Sequence, residues 1–376
     1  MHNNSTQDPF VSQLQAVLRD EKHQQFAPVG GRSKTALIPQ TLHGQTVITH
    51  VELSDYQGIV TYDPSEFLIS ARAGTTIAEL QSALSQHGQY LPFDPLFSRQ
   101  GATLGGTIAS GISGPDRMLY GGSRDFIMEI AMLDGLGNLV RGGGKVVKNA
   151  AGFDTPKMMV GSCGRMGIIV EATLKVFPSP QSSVTLVFDN ASPEDATGMS
   201  QRILSKPFPI AGMDLTPESQ LVVRLSGPSG ALLAAAQKIE LLTDRKSLLL
   251  TNQLHVERQQ LLYDWFQSIG REEALVRVAL SASQAPQLSR LLINAGQRNF
   301  IFCSGGCTAW IQSPLPGIEG LSKQLRQQSL SGLVIRGCVE EPAIGDLSWQ
   351  QMASRIQSAV DPNGKFKAWG SQKIRP

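Results

Sequence analysis

Apolar residues recur with a helical period between residues 10 and 25, where Phe10, Leu14, Val17 and Leu18 share one face. The segment FAPVGGRSKTAL then breaks the pattern with Pro28, Gly30 and Gly31 and reads as a loop. Beyond it, GIVTYDPSEFLISARAGTTIAELQSALSQHG reads as two strands followed by a helix. That helix opens at Thr75 or Thr76, with Glu79 three residues past Thr76 as in a capping box. FIMEIAMLDGLGNLVRGG alternates on both sides of a turn, the pattern of a hairpin. GSCGRMGIIVEATLKVFP ends in a strand closed by Pro178 and Pro180.

After Pro180 the texture changes. QLVVRLSGPSGALLAAAQKIELL and ALVRVALSASQAPQLSRLLINAG each read as a strand followed by a helix. FIFCSGGCTAWIQ and GLVIRG add strands, and LLLTNQLHVERQQ around His255 is strand-like. A helix in WQQMASRIQSAVDPNGKFKAWG closes the chain, ended by an Asp-Pro and Asn-Gly turn. The pattern predicts an α+β protein with a first domain over 1–180, a smaller α+β domain over 181–335, and a C-terminal segment, 336–376, that returns to the first.

The length of 376 residues fits two domains better than one core. A net charge of +2, aromatics at 6% and no block of like charges argue against nucleic acid and anionic membranes as partners. No apolar run approaches the roughly 18 residues of a membrane span, and MHNNSTQDPF lacks the apolar core of a signal peptide. A cytoplasmic location is expected, with peripheral attachment through partner subunits left open. Cys163, Cys303, Cys307 and Cys338 are too few and too scattered for a disulfide framework, and the C-x3-C pair of Cys303 and Cys307, with no second pair, reads as buried structural thiols.

The glycines change the picture. Sixteen of the 37 lie between Gly101 and Gly167, although glycine loses more backbone entropy on folding than any other residue. Such a concentration suits a ligand that lies directly on the backbone. PVGGRSK reads either as an ordinary basic surface turn or as an anion site, since successive amides in a glycine turn, a hydroxyl and two cations suit phosphate oxygens. It lacks the spacing of a Walker A loop, and GLGNLV and GSCGRMG both fail the strand-turn-helix context of a dinucleotide fingerprint. No H-x-H, H-x3-H or C-x2-C-x2-C pattern suggests a metal site.

PVGGRSK, GATLGGTIASGISGP, YGGSRDF, KVVKNAAGFDTPKMMVGSCGRMGIIVEATLKVFP and the late DPNGKF together resemble the FAD-binding domain of the vanillyl-alcohol-oxidase (PCMH-type) superfamily. Within it they look most like the FAD-binding E subunits of bacterial glycolate oxidases. The resemblance runs over residues 26–180, with the tail as a return segment and residues 181–335 as an inserted cap. It implies that Gly30, Gly31, Arg32, Ser33 and Lys34 hold the pyrophosphate of FAD. Pro92, Asp94 and Pro95, with the loop carrying Gly101, Thr103, Leu104, Gly105, Gly106, Ala109 and Ser110, would follow the ribityl chain and isoalloxazine. Gly161, Gly164, Gly167 and Ile168 would pass the adenosine half.

The family's closing F-N-P-G-R reads FKAWG at Phe366–Gly370, so that flavin contact is not carried over. No histidine or cysteine stands in 98–126, so the FAD is expected to be non-covalent. Related 2-hydroxy-acid dehydrogenases carry a histidine-rich second domain, whereas His255 is the only histidine beyond residue 90. The expectation is therefore an FAD-dependent subunit of a multi-subunit glycolate oxidase (glycolate dehydrogenase). A sister flavin subunit would hold the substrate and an iron–sulfur subunit would take electrons onward; catalytic residues are unassigned. Arg117, Arg124 and Lys148 are cations that could face the flavin or a carboxylate. Two alternatives stand beside this: a self-sufficient FAD-dependent 2-hydroxy-acid (D-lactate-type) dehydrogenase using Tyr120, Arg117 or Lys148, and a redox-inactive scaffold with the FAD fold.

Overall fold

The computed structural model describes residues 8–20, 24–41, 47–144 and 154–370. They fall into two compact units. The first holds the chain up to Ser113, Gly122–Pro178 and the part from Ser348 onward; the second holds Gly114–Gly121 and Ser179–Leu347.

In chain order the first unit begins with α1 (Pro9–Arg19), β1 (Gln25–Val29), β2 (Ile48–Glu52), β3 (Ile59–Asp63), β4 (Leu68–Arg72) and α2 (Ile77–Ser85). It continues through β5 (Gln89–Tyr90), α3 (Leu104–Ser110), α4 (Ser123–Phe126), β6 (Ile127–Leu133), β7 (Leu139–Gly143), α5 (Thr155–Met159), β8 (Ile168–Lys175) and β9 (Phe177–Pro178). Asp8 caps α1, its carboxylate accepting from the Phe10 amide at 3.0 Å. The helix ends at Arg19, short of the expected residue 25, and turns Val17 outward while Val11, Leu14 and Leu18 go into the core. Thr76 caps α2, accepting from the Glu79 amide at 3.1 Å, as the sequence predicts. β1 and β2 pair in parallel, and the five-stranded sheet runs β3-β4-β8-β6-β7 with antiparallel neighbours. Val11, Leu14, Leu18, Phe26, Leu53, Leu133, Ile168 and Phe366 share one buried cluster, so both chain ends enter the same core.

The second unit is one nine-stranded sheet with helices. Its elements are β10 (Ser182–Phe188), α6 (Pro193–Leu204), β11 (Ile210–Leu215), β12 (Leu221–Gly227), α7 (Ser229–Thr243), β13 (Leu248–Leu250) and α8 (Asn252–Gln267). Then come β14 (Glu273–Ala279), α9 (Ala285–Asn294), β15 (Phe300–Cys303), β16 (Thr308–Pro314), α10 (Ile318–Gln327), β17 (Ser331–Arg336) and β18 (Ala343–Gly345). The strand order is β13-β10-β12-β11-β15-β16-β14-β17-β18. Two features differ from the sequence expectation. β18 pairs with β17, so the chain leaves this unit at 347 rather than 335. Residues 114–121 also belong here, with the Met118 amide donating to the Ala211 carbonyl at 3.0 Å. Asp116 pairs with the buried Arg224, which also pairs with the buried Asp214, and the two carboxylates hold the guanidinium well above its ordinary pKa. His255 lies on helix α8, not on a strand.

From α11 (Gln350–Val360) the chain is back in the first unit. The Asp361 carboxylate accepts from the Lys365 and Phe366 amides, both at 2.8 Å. The Lys365 carbonyl accepts from the Phe26 amide at 2.7 Å, which sets Phe366 beside Phe26.

Candidate cofactor-binding site

The end of β1 delivers Gly30–Lys34 to one wall of an open cleft in the first unit. None of the five amides from Gly30 to Lys34 donates to an acceptor among the described residues. Gly30 and Gly31 are half-buried, Arg32 is exposed and Ser33 and Lys34 are buried, so the run lies open along the cleft and can take an external acceptor. Arg32 sits in the left-handed region at φ 50°, the kind of turn that converges successive N–H groups on an anion. Its guanidinium pairs with Glu52 in a half-exposed contact, which contributes little on its own.

Lys34 is the distinctive group. Its side chain is buried, 3.5 Å from the Ser33 hydroxyl and 5.6 Å from the centre of the Phe97 ring. Burial lowers its pKa from 10.5 to about 8, and no carboxylate offsets that effect. A buried ammonium beside a row of open amides calls for an anion.

α3 forms the second wall, with Thr103 as its N-cap. The glycine field thus contains a helix where the sequence suggests a loop, and its first amides are already used. Leu104 and Gly105 donate to the carbonyls of Thr75 and Ala73, both at 2.8 Å, and Gly106 donates to the Thr103 hydroxyl at 3.3 Å. Two neighbouring glycines have different reasons. A Cβ on Gly105 would stand 2.9 Å from the Ala73 Cβ, so the bare backbone lets helix and strand end touch. A Cβ on Gly106 would meet only the Thr103 hydroxyl at 3.1 Å and otherwise enter the cleft.

The third wall comes from Cys163, Gly164, Gly167 and Ile169, and Leu37, Ile38, Leu53 and Ala73 add apolar surface. One end therefore suits an anion and the remainder an apolar, planar body. This donor set fits FAD.

Of the residues singled out in the sequence, Gly30, Gly31, Arg32, Ser33, Lys34, Thr103, Gly105, Gly106, Ala109, Ser110, Gly164 and Gly167 line the cleft. Pro92, Asp94, Pro95, Gly101, Leu104, Gly161 and Ile168 do not. Leu104 and Ile168 point into the core, and along β8 it is Ile169 that faces the cleft. Gly101 backs the first wall, its carbonyl 1.6 Å from where a Gly31 Cβ would stand. Arg117, Tyr120 and Arg124 lie outside this cleft; Arg124 donates to the Lys157 carbonyl at 2.9 Å. Lys148 lies outside the described residues. Cys163 is buried on the cleft wall, a position no local pattern announces. Of the pair expected to be buried, Cys303 is buried and Cys307 is exposed.

The comparison with known families agrees with the donor set. Residues 11–143 match the profile of the family described as FAD binding domain, a match that supports FAD as the cofactor. Among individual proteins, the chain is 35% identical over 209 residues to glycolate oxidase subunit GlcE of Escherichia coli, covering 56% of this chain and 58% of that protein. It is 31% identical over 145 residues to a D-lactate dehydrogenase of Anaerostipes hadrus, covering 39% and 30%. It is 29% identical over 197 residues to glycolate oxidase subunit GlcD of Bacillus subtilis, covering 52% and 39%. The matches thus span less than two thirds of each of these relatives. A solved structure of alkyldihydroxyacetonephosphate synthase superposes with a TM-score of 0.66 at 15% identity, over 95% of this chain and 73% of that one, a likeness of fold. Among the described residues no helix is long and apolar enough to cross a membrane.

Proposed function

We propose that this protein is the FAD-binding subunit of a glycolate-oxidising complex, in which glycolate becomes glyoxylate and electrons pass to partner subunits. The observation that carries the reading is the cleft wall of five open amides and a buried lysine, in a chain resembling a glycolate oxidase subunit over more than half its length. Bound FAD supplies two-electron acceptance from a hydroxy acid and onward electron transfer. The chain's own part is to bind and orient it. Gly30–Lys34 hold the pyrophosphate, Lys34 supplies the compensating charge, Gly106 leaves room for the cofactor, and the apolar lining excludes water.

A hydroxy-acid dehydrogenase also needs a base near the flavin. His255 is the one histidine of the second unit, and it is buried against the Thr185 hydroxyl at 2.8 Å, its pKa lowered by burial. That commitment supports assigning substrate to a sister flavin subunit, with an iron–sulfur subunit as acceptor and a cytoplasmic, peripheral complex. The similarity to D-lactate dehydrogenases favours a second reading, a self-sufficient dehydrogenase. Anaerobic addition of glycolate or D-lactate to the flavin-loaded chain separates the two. The subunit reading expects the flavin to stay oxidised until the partner subunits are added, and rapid bleaching of the isolated chain overturns it.

A further inference from the structure

The third wall of the cleft is a loop of unusual backbone conformation, closed locally by the Arg165 amide donating to the Ser162 carbonyl at 3.0 Å. Gly161, Cys163, Gly164 and Gly167 all have positive φ, at 88°, 50°, 69° and 147°. A non-glycine residue such as Cys163 adopts that conformation only when its surroundings enforce it. On one side the enforcement is plain: the amides of Gly161 and Cys163 donate to the carbonyls of Ile108 and Ala109 at 3.2 and 2.8 Å, at the end of α3. On the other side stands Arg165. It is 1% exposed, its Nη1 donates to the carbonyls of Lys367 and Ala368 at 3.2 and 2.9 Å, and its guanidinium lies 4.0 Å from the centre of the Trp369 ring. Trp369 in turn meets Trp349 edge to face at 5.1 Å.

This buried cation thus meets main-chain oxygens and an indole face some 200 residues away in sequence. A guanidinium matches both at once, with a donor fork for the carbonyls and a flat cation for the ring. The loop it belongs to carries Cys163, Gly164 and Gly167 of the cleft wall. We infer that Arg165 is a positioning residue for the FAD cleft, and that Lys367–Trp369 form a strap whose docking fixes the wall at Cys163–Gly167. The strap acts through Arg165 rather than by lining the cleft itself. This inference rests on the FAD reading of the cleft only for its consequence on affinity.

Cys163 offers a readout that does not require FAD. In a background with Cys307→Ser and Cys338→Ser, alkylation of Cys163 and Cys303 is followed by mass spectrometry in flavin-free protein, and FAD binding is titrated by flavin fluorescence. For Arg165→Met the expectation is tenfold faster alkylation of Cys163, unchanged Cys303, and at least tenfold weaker FAD binding. Arg165→Lys, which keeps the charge but not the fork, falls between. Unchanged Cys163 alkylation and unchanged FAD affinity in Arg165→Met overturn the inference. Should Arg165→Met label Cys303 as unfolded protein does, Trp369→Leu carries the test, because it leaves Arg165 and both carbonyls in place. Faster Cys163 labelling with protected Cys303 supports the strap, and labelling equal to wild type refutes it. Failure of the unsubstituted chain to bind FAD counts against the cofactor reading alone, since the cysteine rates still decide the strap.

Discussion

Replacing Lys34 by methionine separates the cost of the cleft from its use. In the flavin-free chain the buried ammonium has a pKa of about 8 instead of 10.5. At 1.36 kcal/mol per pH unit, that displacement is worth about 3 kcal/mol against the folded state wherever both states are protonated. The sign follows from the lowered value. Below pH 8 the lysine is charged in both states and the whole penalty is present. Between pH 8 and 10.5 the unfolded chain binds more protons, so stability rises with pH and the penalty disappears above that window. Flavin-free Lys34→Met should therefore be more stable than wild type by up to about 3 kcal/mol at pH 7, with the gap closing toward pH 10.5. With FAD the gap at pH 7 is expected to narrow by about 1.5–3 kcal/mol, because wild type gains a charge-assisted contact that the variant lacks. Urea unfolding of both proteins at pH 7, 9 and 10.5, with and without FAD, measures all of this. The difference between the two proteins cancels the titrating groups that do not interact with Lys34, and Cys163, whose charge acts on Lys34, is replaced by serine in both. A gap that is absent at pH 7, or that stays constant to pH 10.5, would refute the claim that Lys34 is stored uncompensated.

Gly106→Val should lose FAD, read as flavin stoichiometry, with little change in circular dichroism; Gly105→Ala should instead destabilise the chain by about 1–3 kcal/mol through the collision with Ala73. Thr103→Val, which removes the α3 cap, should cost about 1 kcal/mol in urea unfolding. Arg224→Met leaves Asp116 and Asp214 without their shared cation and should cost about 3–5 kcal/mol, seen as early melting of the second unit by hydrogen exchange. Acid precipitation should release all flavin into the supernatant; flavin retained on the pellet would point to Cys163, the cysteine that lines the cleft.

What the sequence makes legible here is local. The Thr76 cap, the hairpin of β6 and β7 and the strand-helix units after Pro180 depend on neighbours in the chain, and the pattern carries them. The PVGGRSK loop could be read as an anion site because a run of amides, a hydroxyl and cations is itself a local object. What is missing was decided at a distance. His255 sits on a helix because α8 is set down on the sheet as a whole, which a short apolar run such as LLL before it does not reveal. Gly105 and Gly106 are adjacent and identical in sequence, yet one faces Ala73 and the other the cleft. Lys34 looks like a surface cation in its own segment, and only the fold around it makes it buried. Residues 114–121 read as part of the glycine field, although they are held in the other unit through Asp116 and Met118.

The pairing of Phe26 with Lys365 and Phe366 sets an order of events on the ribosome. A chain emerging N-terminus first has made β1 and the open amides of Gly30–Lys34 long before their neighbour at residue 366 exists. Residues 179–347 form an almost uninterrupted unit and can complete their sheet while synthesis continues. The first unit must wait for the final stretch to leave the exit tunnel, with its apolar core partly open and exposed to chaperones and proteases in the interval. Flavin retention is then a mark that Phe366 has joined the core. Chains interrupted before residue 366 leave that core without Phe366 and are expected to be colourless.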